Sequence, residues 1–154
     1  MMRNSTVVRL RQPDAIDDPL TAVLRSGARQ RLCENQVIQL QRAQAEARLG
    51  SARSFLMSGL AEIWDAVGKT GELNLEQKTK IRLATTWAID QAREVINTLY
   101  HSAGATAIFD NRPFERRFRD MHTASQQAQG RQAHYETIGR VLFGLAPDTT
   151  MFAF

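Results

Sequence analysis

Six residues of one segment, Ile81, Ala84, Ala88, Ala92, Val95 and Leu99, recur at intervals of three or four. On a helix that spacing gathers them into one stripe, whereas a strand would divide them between two faces. The segment is therefore expected to be a helix that needs a helical partner.

The preceding segment is a suitable partner. From Leu32 to about Val67 there is no proline, and Leu56, Leu60, Ile63 and Val67 again lie three or four apart. Its first half is rich in Gln36, Gln39, Gln41 and Gln44 with Ala43, Ala45 and Ala47, residues that favour a helix or are tolerated in one, and its small side chains let a neighbouring helix approach closely. Gly68 to Gly71 then predicts a chain reversal, because glycine readily takes the left-handed backbone that ends helices. Asn74 followed by Gln77 has the spacing of a capping box, which starts the second helix and lays its stripe antiparallel on the first.

Ala103 to Asn111 interrupts the periodicity, and Asn111 with Pro113 suits the start of a third helix running to about Gln129. Gly130 is expected to bend the chain. Gln132 to Phe143, with Tyr135, Ile138, Val141 and Leu142, predicts a short fourth helix stopped by Gly144 and Pro147. No strand-like alternation appears, so the fold class is all-α, an incomplete up-and-down helical bundle. It occupies residues 32–146, between an irregular arm with a short helix near Leu20–Leu24 (1–31) and a tail (147–154).

A chain of 154 residues suits one domain with a real core. No apolar run approaches the roughly 18 residues of a membrane helix, and the N-terminus lacks the apolar stretch of a secretory signal, so a cytoplasmic protein without membrane contact is expected. Cys33 has no partner cysteine, and His101, His122 and His134 have no metal-ligand spacing, so no metal site is expected. The net charge of +4 comes from scattered arginines rather than one block, which argues against nucleic-acid binding by the main body. The arginines of the arm, Arg3, Arg9 and Arg11, leave it as a third alternative.

The segment YHSAGATAIFDNRPFERRFRDMH holds the candidate site. Ser102, Ala103, Gly104 and Ala105 allow close approach either of a packed helix or of the phosphate or adenine group of a cofactor. Phe114 and Phe118 share a helix face as core anchors, while Arg112, Arg116, Arg117 and Arg119 either form ion pairs with Glu115 and Asp120 or bind phosphate. The three histidines are candidates for a general base or, more simply, for helix ends and interfaces, and Trp64 and Trp87 for core or subunit contacts.

The stretch from Glu34 to Gly144 resembles the C-terminal part of the acyl-CoA dehydrogenase superfamily, especially its flavin-dependent two-component monooxygenase branch. The resemblance is carried by the Gln/Ala helix ending in SARSFL, by IRLATTWAIDQAREV and by HSAGATAIFDNRPFERRFRDMHT. It implies a four-helix bundle from a larger, usually tetrameric flavoprotein, so a homo-oligomer and further flavoprotein domains supplied in trans are expected, with flavin (FAD or FMN) the cofactor of the family whether or not this chain alone binds it. It also implies that Ala103 and Gly104 receive the flavin nucleotide of a neighbouring subunit, and that Arg119 and Asp120 match the family's Arg-Asp pair. Where the dehydrogenases carry a catalytic Glu the sequence has Ala128, and where monooxygenase relatives often carry a His it has Gln127. No catalytic residue is therefore assigned, and the chain alone is expected to be inactive, either as a fragment of a flavoenzyme or as a non-catalytic oligomerising module. The stretch RNSTVVRLRQPDAIDDPLTAVLRSGAR resembles the N-terminus of mutator-type bacterial transposases, which implies a mosaic reading frame.

Overall fold

The computed structural model describes residues 31–110 and 112–148. The short helix expected near Leu20–Leu24, most of the arm and the MFAF end lie outside them. Helix α1 is Gln36–Thr70, α2 is Leu75–Ala103, α3 is Pro113–Ser125 and α4 is Ala133–Leu142, and no strand occurs among the described residues.

Local chemistry sets the helix ends. The Asn35 side chain accepts hydrogen bonds from the backbone N–H of Val37 (2.9 Å) and Ile38 (3.4 Å), satisfying donors with no partner inside α1. This cap starts the helix at Gln36 rather than Leu32, and a 3-10 turn precedes it over Leu32–Glu34. At the other end Gly68 stays helical, and Gly71, at φ 75°, makes the left-handed cap. Asn74 and Gln77 form the expected reciprocal box, with Gln77 N–H on Asn74 at 2.9 Å and Asn74 N–H on Gln77 at 3.0 Å.

The two long helices lie antiparallel. Gln41 bonds to Ser102 (2.7 Å), Arg48 to Gln91 (2.8 Å), and Glu62 to Lys80, so partners descend on α2 as they climb on α1. The buried seam of α1 is Ile38, Ala45, Ala52 and Gly59, one residue every seven. At Gly59 an added Cβ would lie 3.7 Å from the Ile81 methyl and 3.9 Å from the Ala84 Cβ. The expected α1 stripe is thus not the contact face: Leu56 and Ile63 are half-buried, while Leu60 and Val67 are 43% and 42% exposed. Trp64, at 83% exposed, is not a core residue. These side chains lie about a quarter turn round α1 from the small-residue seam.

The second-helix stripe is placed as expected. Ala84 and Val95 are buried, and Ile81, Ala88, Ala92 and Leu99 are half-buried. Helix α2 is central and packs on α1, α3 and α4. Tyr100 meets Phe118 and Asn97 meets His122, which runs α3 antiparallel to α2. The third helix stops at Ser125 rather than Gln129, because the chain tightens into a 3-10 turn at Ala128–Gly130. An added Cβ on Gly130 would sit 2.6 Å from the Ser125 carbonyl oxygen and 3.1 Å from Ile89, so this turn requires glycine.

Two substitutions test the packing with opposite signs. Gly59→Ala places a methyl in ordinary contact and removes a helix-interior glycine, so it raises stability by about 0.5–1 kcal/mol in urea unfolding followed by circular dichroism. Gly130→Ala drives a methyl into a backbone carbonyl and lowers stability by about 1–3 kcal/mol in the same measurement.

Candidate functional site

The expected site residues cluster where α2 ends, but they are not equivalent. Ala103 is 4% exposed and belongs to a small apolar cluster with Leu32, Ile38 and Ala107, lined by Leu99, Tyr100 and Phe114. Gly104 caps α2 at φ 59°, ψ −145°, is exposed, and has no atom within 4 Å of where a Cβ would stand. That backbone conformation is essentially closed to other residues. The small pair therefore divides its work: Ala103 lets the helix end pack down, and Gly104 leaves bare backbone at the surface.

One helical turn back, aromatic rings form a ladder. The Tyr100 and Phe118 centroids are 4.4 Å apart, and those of Phe118 and His122 4.2 Å. His122 Nε2 lies 2.8 Å from the Asn97 side-chain oxygen, and His101 stands edge-on to Tyr100 at the surface. Phe114 and Phe118 are half-buried, as their shared face predicted. The charges of α3 pair along their own helix: Arg119 with Glu115 at 3.4 Å and Arg116 with Asp120 at 3.7 Å. Arg119 and Asp120 thus each take another residue as ion-pair partner. Both pairs are largely exposed, where such contacts contribute little.

Gln127 and Ala128, the residues expected from the resemblance to stand at catalytic positions, lie on the turn between α3 and α4. Gln127 is exposed and Ala128 half-buried. The turn is fixed through its backbone: the Thr86 hydroxyl donates to the Gln129 carbonyl (3.0 Å), and His134, which is buried, bonds through Nε2 to the Ala128 carbonyl. His134 is thereby a structural residue, as its simpler reading expected.

Sequence reasoning passed over the most connected polar group, Asp90. Its carboxylate accepts from Gln132 Nε2 (3.0 and 3.1 Å) and from the Tyr135 hydroxyl (2.9 Å), and pairs with Arg93 at 3.1 Å. Burial, the hydrogen bond to Asp90 and the carboxylate's charge together hold the Tyr135 phenol well above its ordinary value of 10. Arg82, buried on the same helix, has its guanidinium pushed below the ordinary value by desolvation. The donors on Asp90 lie 42 and 45 residues away, so no local pattern announces them.

Tyr135 gives the cluster a pH signature. Near pH 10 the unfolded phenol ionises while the folded one stays protonated, so its contribution is complete below pH 10 and declines as pH rises further. Tyr135→Phe removes a hydrogen bond to a charged group and costs about 1.5–3 kcal/mol at pH 7. Melting curves from pH 8 to 11 will show a steeper alkaline loss for the wild type than for this variant.

Comparison with known proteins agrees with this architecture. Residues 15–131 match the family model for the acyl-CoA dehydrogenase C-terminal domain, a match that begins inside the N-terminal arm. The chain is 32% identical to indole-3-acetate monooxygenase of Acinetobacter baumannii and 28% identical to the same-named protein of Pseudomonas putida. Each alignment covers 75% of this chain and 30% of the relative. It is also 34% identical, over 46% of its length and 17% of the relative's, to the oxygenase component of p-hydroxyphenylacetate 3-hydroxylase from Acinetobacter baumannii. The chain thus spans about 30% of the length of the first two curated relatives. Among the described residues no helix is long and apolar enough to cross a membrane. With the antiparallel helices, the glycine-capped end of α2 and the family match in agreement, this chain belongs to the acyl-CoA dehydrogenase C-terminal domain family.

Proposed function

We propose that this chain is the C-terminal helical part of a flavin-dependent oxidoreductase of the monooxygenase kind, and that it shapes the nucleotide end of the flavin site without performing the chemistry. The observation that carries this reading is Gly104: exposed, at positive φ, with open space where a side chain would stand. A planar or phosphorylated group can meet bare backbone there, and Ala103 supports the turn from within the core. The residues present fit a nucleotide at this one position. A flavin, when bound, would supply the redox chemistry.

The rest of the site supports a non-catalytic role. Gln127 has an amide that hydrogen-bonds but does not titrate, and Ala128 offers no functional group. Flavin and substrate walls built from several elements cannot be preorganised by these helices alone, so the working protein includes flavoprotein segments beyond these 154 residues, in the cytoplasm. The names of the relatives point to an arylacetate as the substrate of the intact enzyme. A second reading, an oligomerising helical module, is favoured by the exposed Trp64 and its apolar neighbours.

Titration of the purified chain with FAD and FMN, followed by flavin fluorescence, tests the proposal. Weak binding of either, since most of the flavin walls lie in other segments, further weakened about tenfold or more by Gly104→Asp, which sets bulk and charge against phosphate and cannot keep the glycine backbone unstrained, is the expected result. Turnover is expected to be absent. Failure of a well-folded helical chain to bind either flavin would remove the cofactor role from this chain.

A further inference from the structure

Residues 132–148 are tied to one another more than to the rest of the chain. The Thr137 hydroxyl donates to the Asp148 carboxylate (2.7 Å), and Arg140 Nε donates to the Ala146 carbonyl (3.2 Å). The Leu145 N–H returns to the Arg140 carbonyl (2.9 Å) across Gly144, which stands at φ 77°. Helix α4 and the chain after it therefore make one strapped unit. Its far end does not dock, since Leu142, Phe143 and Leu145 are 72%, 87% and 53% exposed. Arg131, in extended backbone, joins the unit to the 3-10 turn at Ala128–Gly130.

The attachments that hold this unit down are few. Helix α4 packs chiefly on α2, where Asp90 accepts from the Gln132 amide and the Tyr135 hydroxyl while Arg93 fixes the carboxylate from its own helix. Gln132 stands at the N-cap yet makes no side-chain capping bond, and its amide binds Asp90 instead. Of the apolar side chains of α4 only Ile138 is fully buried, and His134 adds its bond to the Ala128 carbonyl. A segment with so little buried apolar contact belongs to the low-stability end of a fold. We propose that residues 132–148 open from α2 as a separate unit while the α1–α2 pair stays folded, with Asp90 as the latch. The Thr137–Asp148 and Arg140–Ala146 bonds travel with the unit, so opening does not break them. Thr86 keeps the Gln129 carbonyl while His134 leaves the Ala128 carbonyl. The turn that carries Gln127 and Ala128 thereby has two arrangements, one clamped from both sides and one held at a single point.

Native-state hydrogen exchange on the full chain, followed by NMR at low urea concentrations, tests the latch. The expected result is that the amides of residues 137–142 exchange on the order of tenfold or more faster than those of the α1–α2 seam, with a shallower dependence on urea because their opening exposes little surface. Tyr135→Phe, which removes one tie, speeds their exchange about 10- to 100-fold, and Asp90→Asn, which weakens both, speeds it at least as much. Ala45→Gly loosens the seam and speeds its amides about fivefold while leaving those of α4 unchanged, since the seam stays intact when the unit opens. Amides of α4 that match the seam in rate and urea slope, and that Ala45→Gly speeds equally, overturn the separate opening. Separate opening at a rate that neither Tyr135→Phe nor Asp90→Asn alters overturns Asp90 as the latch.

Discussion

The structure depends on how closely α1 can approach α2. Beyond Ile38, the residues Ala45, Ala52 and Gly59 give α1 a seam with almost no side-chain bulk, and α2 answers with Ala84 and the half-buried Ala88. Dispersion and exclusion of water act only at short range, so a seam of small residues gains by bringing two backbones together rather than by burying large side chains. Five of the nine buried hydrophobic residues among those described are alanines, and only Leu32, Ile38, Val95 and Ile138 add branched bulk. The apolar area removed from water is correspondingly modest, which makes the cross-links Arg48–Gln91 and Gln41–Ser102 important for register. Such bonds add little net stability when satisfied, but they penalise a slipped pairing that would leave them unmade.

With one face of α2 committed to α1, its other faces organise the rest. Thr86 and Asp90 are one turn apart, and each reaches the α3–α4 region: Thr86 to the Gln129 carbonyl, Asp90 to Gln132 and Tyr135. Helix α4 has ten residues, too few to persist alone in water, and of its apolar side chains only Ile138 is fully buried. Its attachment is therefore mostly polar and hinges on one carboxylate. The end of α2 is packed differently, through Ala103, Ala107 and Leu32, and this apolar plug fixes the backbone from which Gly104 projects.

These differences explain what was legible in the sequence. The capping box at Asn74 and Gln77, the α2 stripe and the all-α class rest on interactions within a turn or two, which spacing encodes directly. The contact face of α1 was misplaced because periodicity favours the larger apolar residues, Leu60 and Val67, whereas the helix buries its smallest ones. A seam of Ala and Gly carries little hydrophobic signal, although its seven-residue spacing is visible once sought. The Asp90 cluster had no local signature, because its partners come from another helix. At the site, the small-residue turn was legible, but the division between a buried Ala103 and an exposed Gly104 was not, since it depends on where Leu32 and Ile38 dock.

The turn that carries Gln127 and Ala128 shows why fold and chemistry can separate in such a domain. Both of its described tethers from neighbouring side chains grip backbone atoms: Thr86 takes the Gln129 carbonyl and His134 the Ala128 carbonyl. Gly130 is required because a backbone oxygen lies against it, not because of any side-chain partner. The path of the chain is thus fixed without reference to the side chains at 127 and 128, and Gln127 points into solvent. Replacing an acid or a base there removes a reactive group at little cost to packing, whereas enlarging Ala45 or Ala52 would force the long helices apart. Under those constraints the helical architecture is held by the small-residue seam and by Gly130, and the side chains at 127 and 128 are held by neither.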